Sequence, residues 1–152
     1  MPKPVKNPKR EQVSQLLILE IQRVLEDLHL REDFLMHIWG KHRDRAPLID
    51  TIYSRWHTVR FDQLIELEVP EVALLDQFYR ELEDLRFTFQ YTDAMPTTLR
   101  EVYRKSLSRL IKIGFMTIEA LGGELSAPID FGEYPERAYD IGLNRSPNNE
   151  VP

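Results

Sequence analysis

The sequence predicts an all-α fold, an antiparallel helical bundle of about four long helices and one short helix over residues 10–123, followed by an extended tail at 124–152. Three observations carry that prediction. Apolar residues recur at three- and four-residue steps along residues 10–121, prolines stand where helices would open, and no stretch of useful length alternates apolar with polar residues as a half-buried strand does. No internal repeat divides the chain.

Residues 1–9 read as a flexible basic N-terminus, since residues 1–10 carry Lys3, Lys6, Lys9 and Arg10 with no acid among them. The first helix then places Val13, Leu16, Leu17, Ile21, Val24, Leu25 and Leu28 on one wide apolar stripe over residues 10–30. Asp33 is expected to cap a short second helix reaching Lys41, with Leu35, Ile38, Trp39 and His42 near one face. Pro47 suits the first turn of a third, because its missing amide hydrogen would have no helical partner there. Ile49, Ile52, Trp56 and Val59 continue that helix, and a bend between His57 and Asp62 is expected where the stripe shifts to Leu64, Ile65 and Leu67. Residues 58–68 are also compatible with a strand, being rich in β-branched and aromatic side chains.

Pro70 opens the fourth segment. Leu75, Phe78, Leu82, Leu85 and Phe89 repeat there at 3-4-3-4, the spacing of a helix-packing seam that serves a core or a dimer interface equally well. "TDAMP" reads as a turn, and Thr98 with Glu101 has capping-box spacing for a last helix running to about Leu121. Gly122 and Gly123 supply the positive-φ position that commonly ends a helix.

At 152 residues the chain fits one domain large enough to fold around a core of its own. It contains no cysteine, which removes disulfides, thiolate metal sites and cysteine nucleophiles together and suits a reducing, cytoplasmic setting. Gln15, Glu20 and Arg23 interrupt the first apolar run, so it lacks a signal-peptide core, and no run has the length of a membrane span. The net charge of −5 weighs against non-specific attraction to nucleic acid.

The stretch "HIWGKHRDR", residues 37–45, invites a catalytic or metal reading and supports neither. Its "HRD" lacks the asparagine that a kinase catalytic loop carries five residues after the aspartate, since Ile49 stands there, and no glycine-rich phosphate loop is present. His37 and His42 are five residues apart, roughly 140° around a helix, so they point to different faces. Trp39 and Ile38 are therefore expected to pack, with both histidines at the margin. Glu26 and His29 have the Glu-x-x-His spacing of di-iron carboxylate bundles, but those sites need the motif twice; Glu20, Glu66 and Glu119 are the available further carboxylates. Ser14, Ser54, Ser106 and Ser108 lie within helical patterns, none in a nucleophile elbow. No catalytic residue, metal or cofactor is predicted. A metal-dependent enzyme around Glu26 and His29 stands as a lesser alternative.

Charge is more informative. Residues 62–84 are acidic apart from Arg80, whereas Arg100, Arg104, Lys105, Arg109 and Lys112 face one acid, Glu101. The two helices suit an antiparallel hairpin with complementary flanks. Alternatively Lys105, Arg109 and Lys112, at i, i+4 and i+7, present a basic stripe to an acidic partner, an anionic ligand or nucleic acid. The tail carries Pro128, Pro135 and Pro147 yet also Ile129, Phe131, Tyr134, Tyr139, Ile141 and Leu143, more apolar surface than a linker usually holds. Phe131, Tyr134 and Tyr139 are expected to anchor it in a groove on this chain, on a second copy or on another protein, with its acids meeting Arg104, Lys105, Arg109 and Lys112. The functional expectation is a non-enzymatic cytoplasmic interaction or regulatory module that self-associates, through the 75–89 seam or the first helix.

Overall fold

The computed structural model describes residues 8–123. The helices are α1 (Pro8–His42), α2 (Ala46–Thr51), α3 (Phe61–Leu64), α4 (Val69–Tyr91) and α5 (Pro96–Ala120), with a 3₁₀ turn at Trp56–Thr58. No strand occurs among the described residues, so the chain is all-α and residues 58–68 are turn and short helix.

α1 differs from expectation in being one helix of 35 residues. Asp33 caps nothing. It lies inside α1, because Leu28, Glu32, Leu35, Met36 and Trp39 carry the buried stripe of the first half straight through it. α1 stops where Arg43 adopts φ +52° and its amide donates to the Trp39 carbonyl at 3.0 Å, a left-handed cap made by a residue other than glycine. The third helix is shorter than its apolar spacing implied. α2 ends at Thr51, and Ile52, Trp56 and Val59 reach the core from a turn, a 3₁₀ helix and extended backbone instead of one helical face. The break therefore falls before the expected bend at residues 57–62. Two side-chain contacts hold this irregular strap on α1: the Arg55 amide donates to Glu20 Oε1 at 2.5 Å, and Arg23 Nη2 donates to the Tyr53 carbonyl at 2.6 Å.

Pro70 occupies the first turn of α4, and Glu71 Oε1 accepts from the Glu68 amide at 2.8 Å, closing an orphan donor at its start. The expected Thr98–Glu101 box is not used. α5 opens on Pro96 after Met95 without a side-chain cap, and both residues lie exposed inside the helix. Its far end follows expectation: Gly122 has φ +89°, and the Gly123 and Gly122 amides donate to the Ile118 and Glu119 carbonyls.

α5 packs against both α1 and α4, while α2 touches each of those two. Both α5 pairings are antiparallel. Phe89 stacks near Tyr103 and Glu81 pairs with Arg109 on one side; on the other, the Tyr103 hydroxyl donates to the Leu28 carbonyl at 2.5 Å while Gly114 lies against Leu25. The seam residues Leu75, Phe78, Leu82, Leu85 and Phe89 are at most 1% exposed, so the seam is internal core and is not available as a dimer interface.

Gly114 sits where the three long helices meet. A Cβ there would lie 2.9 Å from Leu25 Cδ1 and 3.2 Å from both Ile21 Cγ2 and Phe78 Cε2. Alanine would favour the helix by about 1 kcal/mol, but overpacking of a closed core costs about 1–3 kcal/mol. Gly114→Ala is expected to lower stability in urea unfolding, and Gly114→Val by clearly more. An alanine variant more stable than the parent would contradict this close approach.

Candidate functional site

The "HIWGKHRDR" stretch is a structural clasp. Trp39, 1% exposed, donates from Nε1 to the Ala94 carbonyl at 2.9 Å, and the same carbonyl accepts from Arg43 Nη1 at 2.9 Å. The Arg43 and Arg45 guanidiniums lie 5.2 and 5.5 Å from the Trp39 ring centroid. Arg45 continues outward to the Thr92 carbonyl and to Asp93 Oδ1, the latter at 2.7 Å. The end of α1 thereby holds the turn between α4 and α5 through its carbonyls. His37 and His42 are both exposed, as expected of the margin of a packed face.

The basic residues of α5 do not form one stripe. Arg100 Nη1 donates to Glu32 Oε2 at 2.9 Å and to Asp33 Oδ1 at 3.0 Å, and Arg104 Nε donates to Glu32 Oε2 at 2.9 Å. Arg109 turns the other way, donating to Glu81 Oε1 at 2.5 Å on α4 and to Ser106 Oγ at 3.3 Å. Lys105 and Lys112 remain on the exposed side of α5. The complementary hairpin is thus made by Arg109 and Glu81, whereas Arg100 and Arg104 are drawn to α1. Phe131, Tyr134 and Tyr139 lie outside the described residues.

Glu32 is the residue that sequence reasoning missed. Its side chain is only 8% exposed, beneath Arg104 at 13% and Arg100 at 29%. The signal was present: Glu32 falls on the buried stripe between Leu28 and Leu35, where an unpaired carboxylate would be costly. Glu71 repeats the pattern at the opposite end, with a side chain 5% exposed that accepts from Arg10 Nη2 at 2.6 Å.

The remaining candidates do not converge. Glu26 is exposed and His29 half-buried on α1, and among the described residues no three His, Asp or Glu side chains are grouped as metal ligands. Ser14, Ser54, Ser106 and Ser108 are all buried, and Ser54 Oγ accepts from the Trp56 amide at 3.0 Å. Tyr79 is buried under Trp56, with ring centroids 4.6 Å apart, and its hydroxyl has no hydrogen-bond partner. Burial pushes the Tyr79 phenol well above its ordinary value, the Glu20 carboxylate adds to the rise and Arg23 opposes it.

What the surface does present is apolar. Leu16, Leu19, Leu30 and Phe34 of α1 are 62%, 58%, 68% and 58% exposed. Leu16 was expected in the buried stripe, but at 100° per residue it lies with Leu19, Leu30 and Phe34 on the side of α1 opposite Ile21, Leu28 and Trp39. Phe61, Ile65 and Val69 are exposed around α3, and Phe87 and Tyr91 pair at 4.7 Å on the outer face of α4.

No family model, curated protein or solved structure matches the chain. No described helix is long and apolar enough to cross a membrane.

Two expectations follow. Glu32→Ala removes the carboxylate that Arg100 and Arg104 share at the α1–α5 contact and should cost about 1.5–3 kcal/mol, the range for hydrogen bonds to charged groups, with Glu32→Gln losing less; chemical denaturation measures both. Tyr79→Phe should leave stability at neutral pH unchanged or raised, since it removes a buried hydroxyl without a partner. The phenol's pKa is higher folded than unfolded, so its contribution is complete below the unfolded value near pH 10 and is lost as pH rises above it. Tyr79→Phe should therefore flatten the alkaline fall in melting temperature.

Proposed function

We propose that the chain is a non-enzymatic helical interaction module, working in the cytoplasm, whose docking face is the outer side of α1. One observation carries this reading: four large apolar side chains, each more than half exposed, share one side of a helix whose opposite side is core. Isolated exposed leucines are ordinary on a protein surface, but an aligned set along a rigid helix is the form that helix-in-groove and helix-pair recognition take. The bond from Trp39 to the α4–α5 turn and the ion pairs from Glu32 to α5 fasten α1 by the side away from Leu16, Leu19, Leu30 and Phe34.

The tail belongs to the same reading. Phe131, Tyr134 and Tyr139 are its proposed anchors. Lys105 and Lys112 are the cations its acids would meet, since both are exposed while Arg104 and Arg109 are engaged with Glu32 and Glu81.

Replacing Leu19 and Leu30 together by lysine tests the module. Both side chains are exposed, so circular dichroism and melting temperature should match the parent. The tagged 152-residue parent should travel above its 18.0 kDa mass in gentle cell extract, and the variant at monomer mass. Parent and variant that both travel as monomers would overturn the reading.

A further inference from the structure

We infer that the outer face of α1 pairs with the same face of a second copy, antiparallel about a two-fold axis between residues 24 and 25. The inference rests on the reading of α1 as the docking face and names its occupant.

Positions 16, 19, 23, 26, 30, 33 and 37 step along this side of α1 at 3-4-3-4-3-4, the spacing of a two-helix seam. Leu16, Leu19 and Leu30 are apolar seam positions, Phe34 flanks Asp33, and Arg23 and Glu26 occupy the centre. A two-fold axis between residues 24 and 25 exchanges position 19 with 30, 23 with 26 and 16 with 33. In an antiparallel pair Leu19 faces the partner's Leu30, Arg23 faces the partner's Glu26, and Leu16 faces the partner's Asp33 with the partner's Phe34 beside it. Each contact occurs twice, as an isologous interface requires.

Charge decides the direction. A parallel pair would set Arg23 against Arg23 and Glu26 against Glu26, two like-charge contacts at its centre, whereas the antiparallel pair makes two opposite-charge contacts. Arg23 retains 40% side-chain exposure while bonded to the Tyr53 carbonyl and paired with Glu20 and Asp27, and Glu26 is exposed, so both are accessible to a second copy. The internal 75–89 seam offers no such face.

The absence of cysteine from the sequence makes the test direct. Leu19→Cys and Leu30→Cys are made singly in full-length chains carrying different tags and treated with a short thiol cross-linker. Mixed chains should cross-link efficiently and neither chain with itself, because residues 19 and 30 are about 16 Å apart along one helix and level only across the antiparallel pair. Efficient cross-linking of Leu19→Cys with itself would overturn the antiparallel register. Sedimentation gives the second readout. Arg23→Glu and Glu26→Arg should each weaken self-association at least tenfold, and an equimolar mixture should restore it, a rescue that a merely destabilised chain would not show. A purified parent that stays monomeric at high micromolar concentration would overturn the self-pairing. If Leu19→Lys with Leu30→Lys still removed larger complexes from extract, the module reading would survive with a different partner; if no complexes formed there either, both would fall.

Discussion

The close approach of three helices at Gly114 is the constraint on which the rest of the structure depends. α5 lies against α1 with Leu25 and Ile21 and against α4 with Phe78 at the same glycine, so its position is set from two sides at once. A residue that weakens a helix in isolation is tolerated here because the missing side chain lets Ile21, Leu25 and Phe78, all fully buried, close over the backbone. The antiparallel registers on either side of α5 follow from that point. They bring Tyr103 to the Leu28 carbonyl and Arg109 to Glu81.

Polar contacts sit where this packing ends. At one end Trp39, Arg43 and Arg45 bind the carbonyls of the α4–α5 turn; at the other Arg10 joins the start of α1 to Glu71 at the start of α4. Between them Glu32 gathers Arg100 and Arg104 at the α1–α5 border. Glu32 and Glu71 are the carboxylates that this packing buries, and the arginines beside them supply their partners. This division explains why Trp39, Arg43 and Arg45 of the "HIWGKHRDR" stretch serve architecture here: their donors are directed at the backbone carbonyls of the α4–α5 turn and at Asp93.

The same organisation leaves α1 two-sided. Its inner face meets α5 and α2, Glu20 and Arg23 hold the strap at residues 52–58 along its flank, and Leu16, Leu19, Leu30 and Phe34 meet solvent on the outer side. A 35-residue helix anchored along one side is a rigid platform, so a partner binding the outer side need not order it first. That is the physical basis for assigning recognition to this face in preference to the basic residues of α5, three of which already hold α1 or α4.

Helical period, read directly, was enough for the all-α class, the core of α4, the proline-led starts of α2 and α4 and the glycine end of α5, because these depend on neighbours three or four residues apart. The 75–89 seam was legible as a buried surface, but its burial within one chain was not, since core and interface demand the same side chains. Tertiary structure decided what local pattern leaves open. Asp33 looked like a cap because aspartate favours that position, yet continuous burial from Leu28 through Trp39 held the chain helical past it. Ile52, Trp56 and Val59 kept helical spacing while reaching the core from irregular backbone, because contacts with Glu20, Arg23 and Tyr79 set their path. The partners of Glu32 and Trp39 lie 55 to 72 residues away in sequence, at Ala94, Arg100 and Arg104. Such pairings follow from how helices cross, and the period of a single helix carries no record of its neighbour.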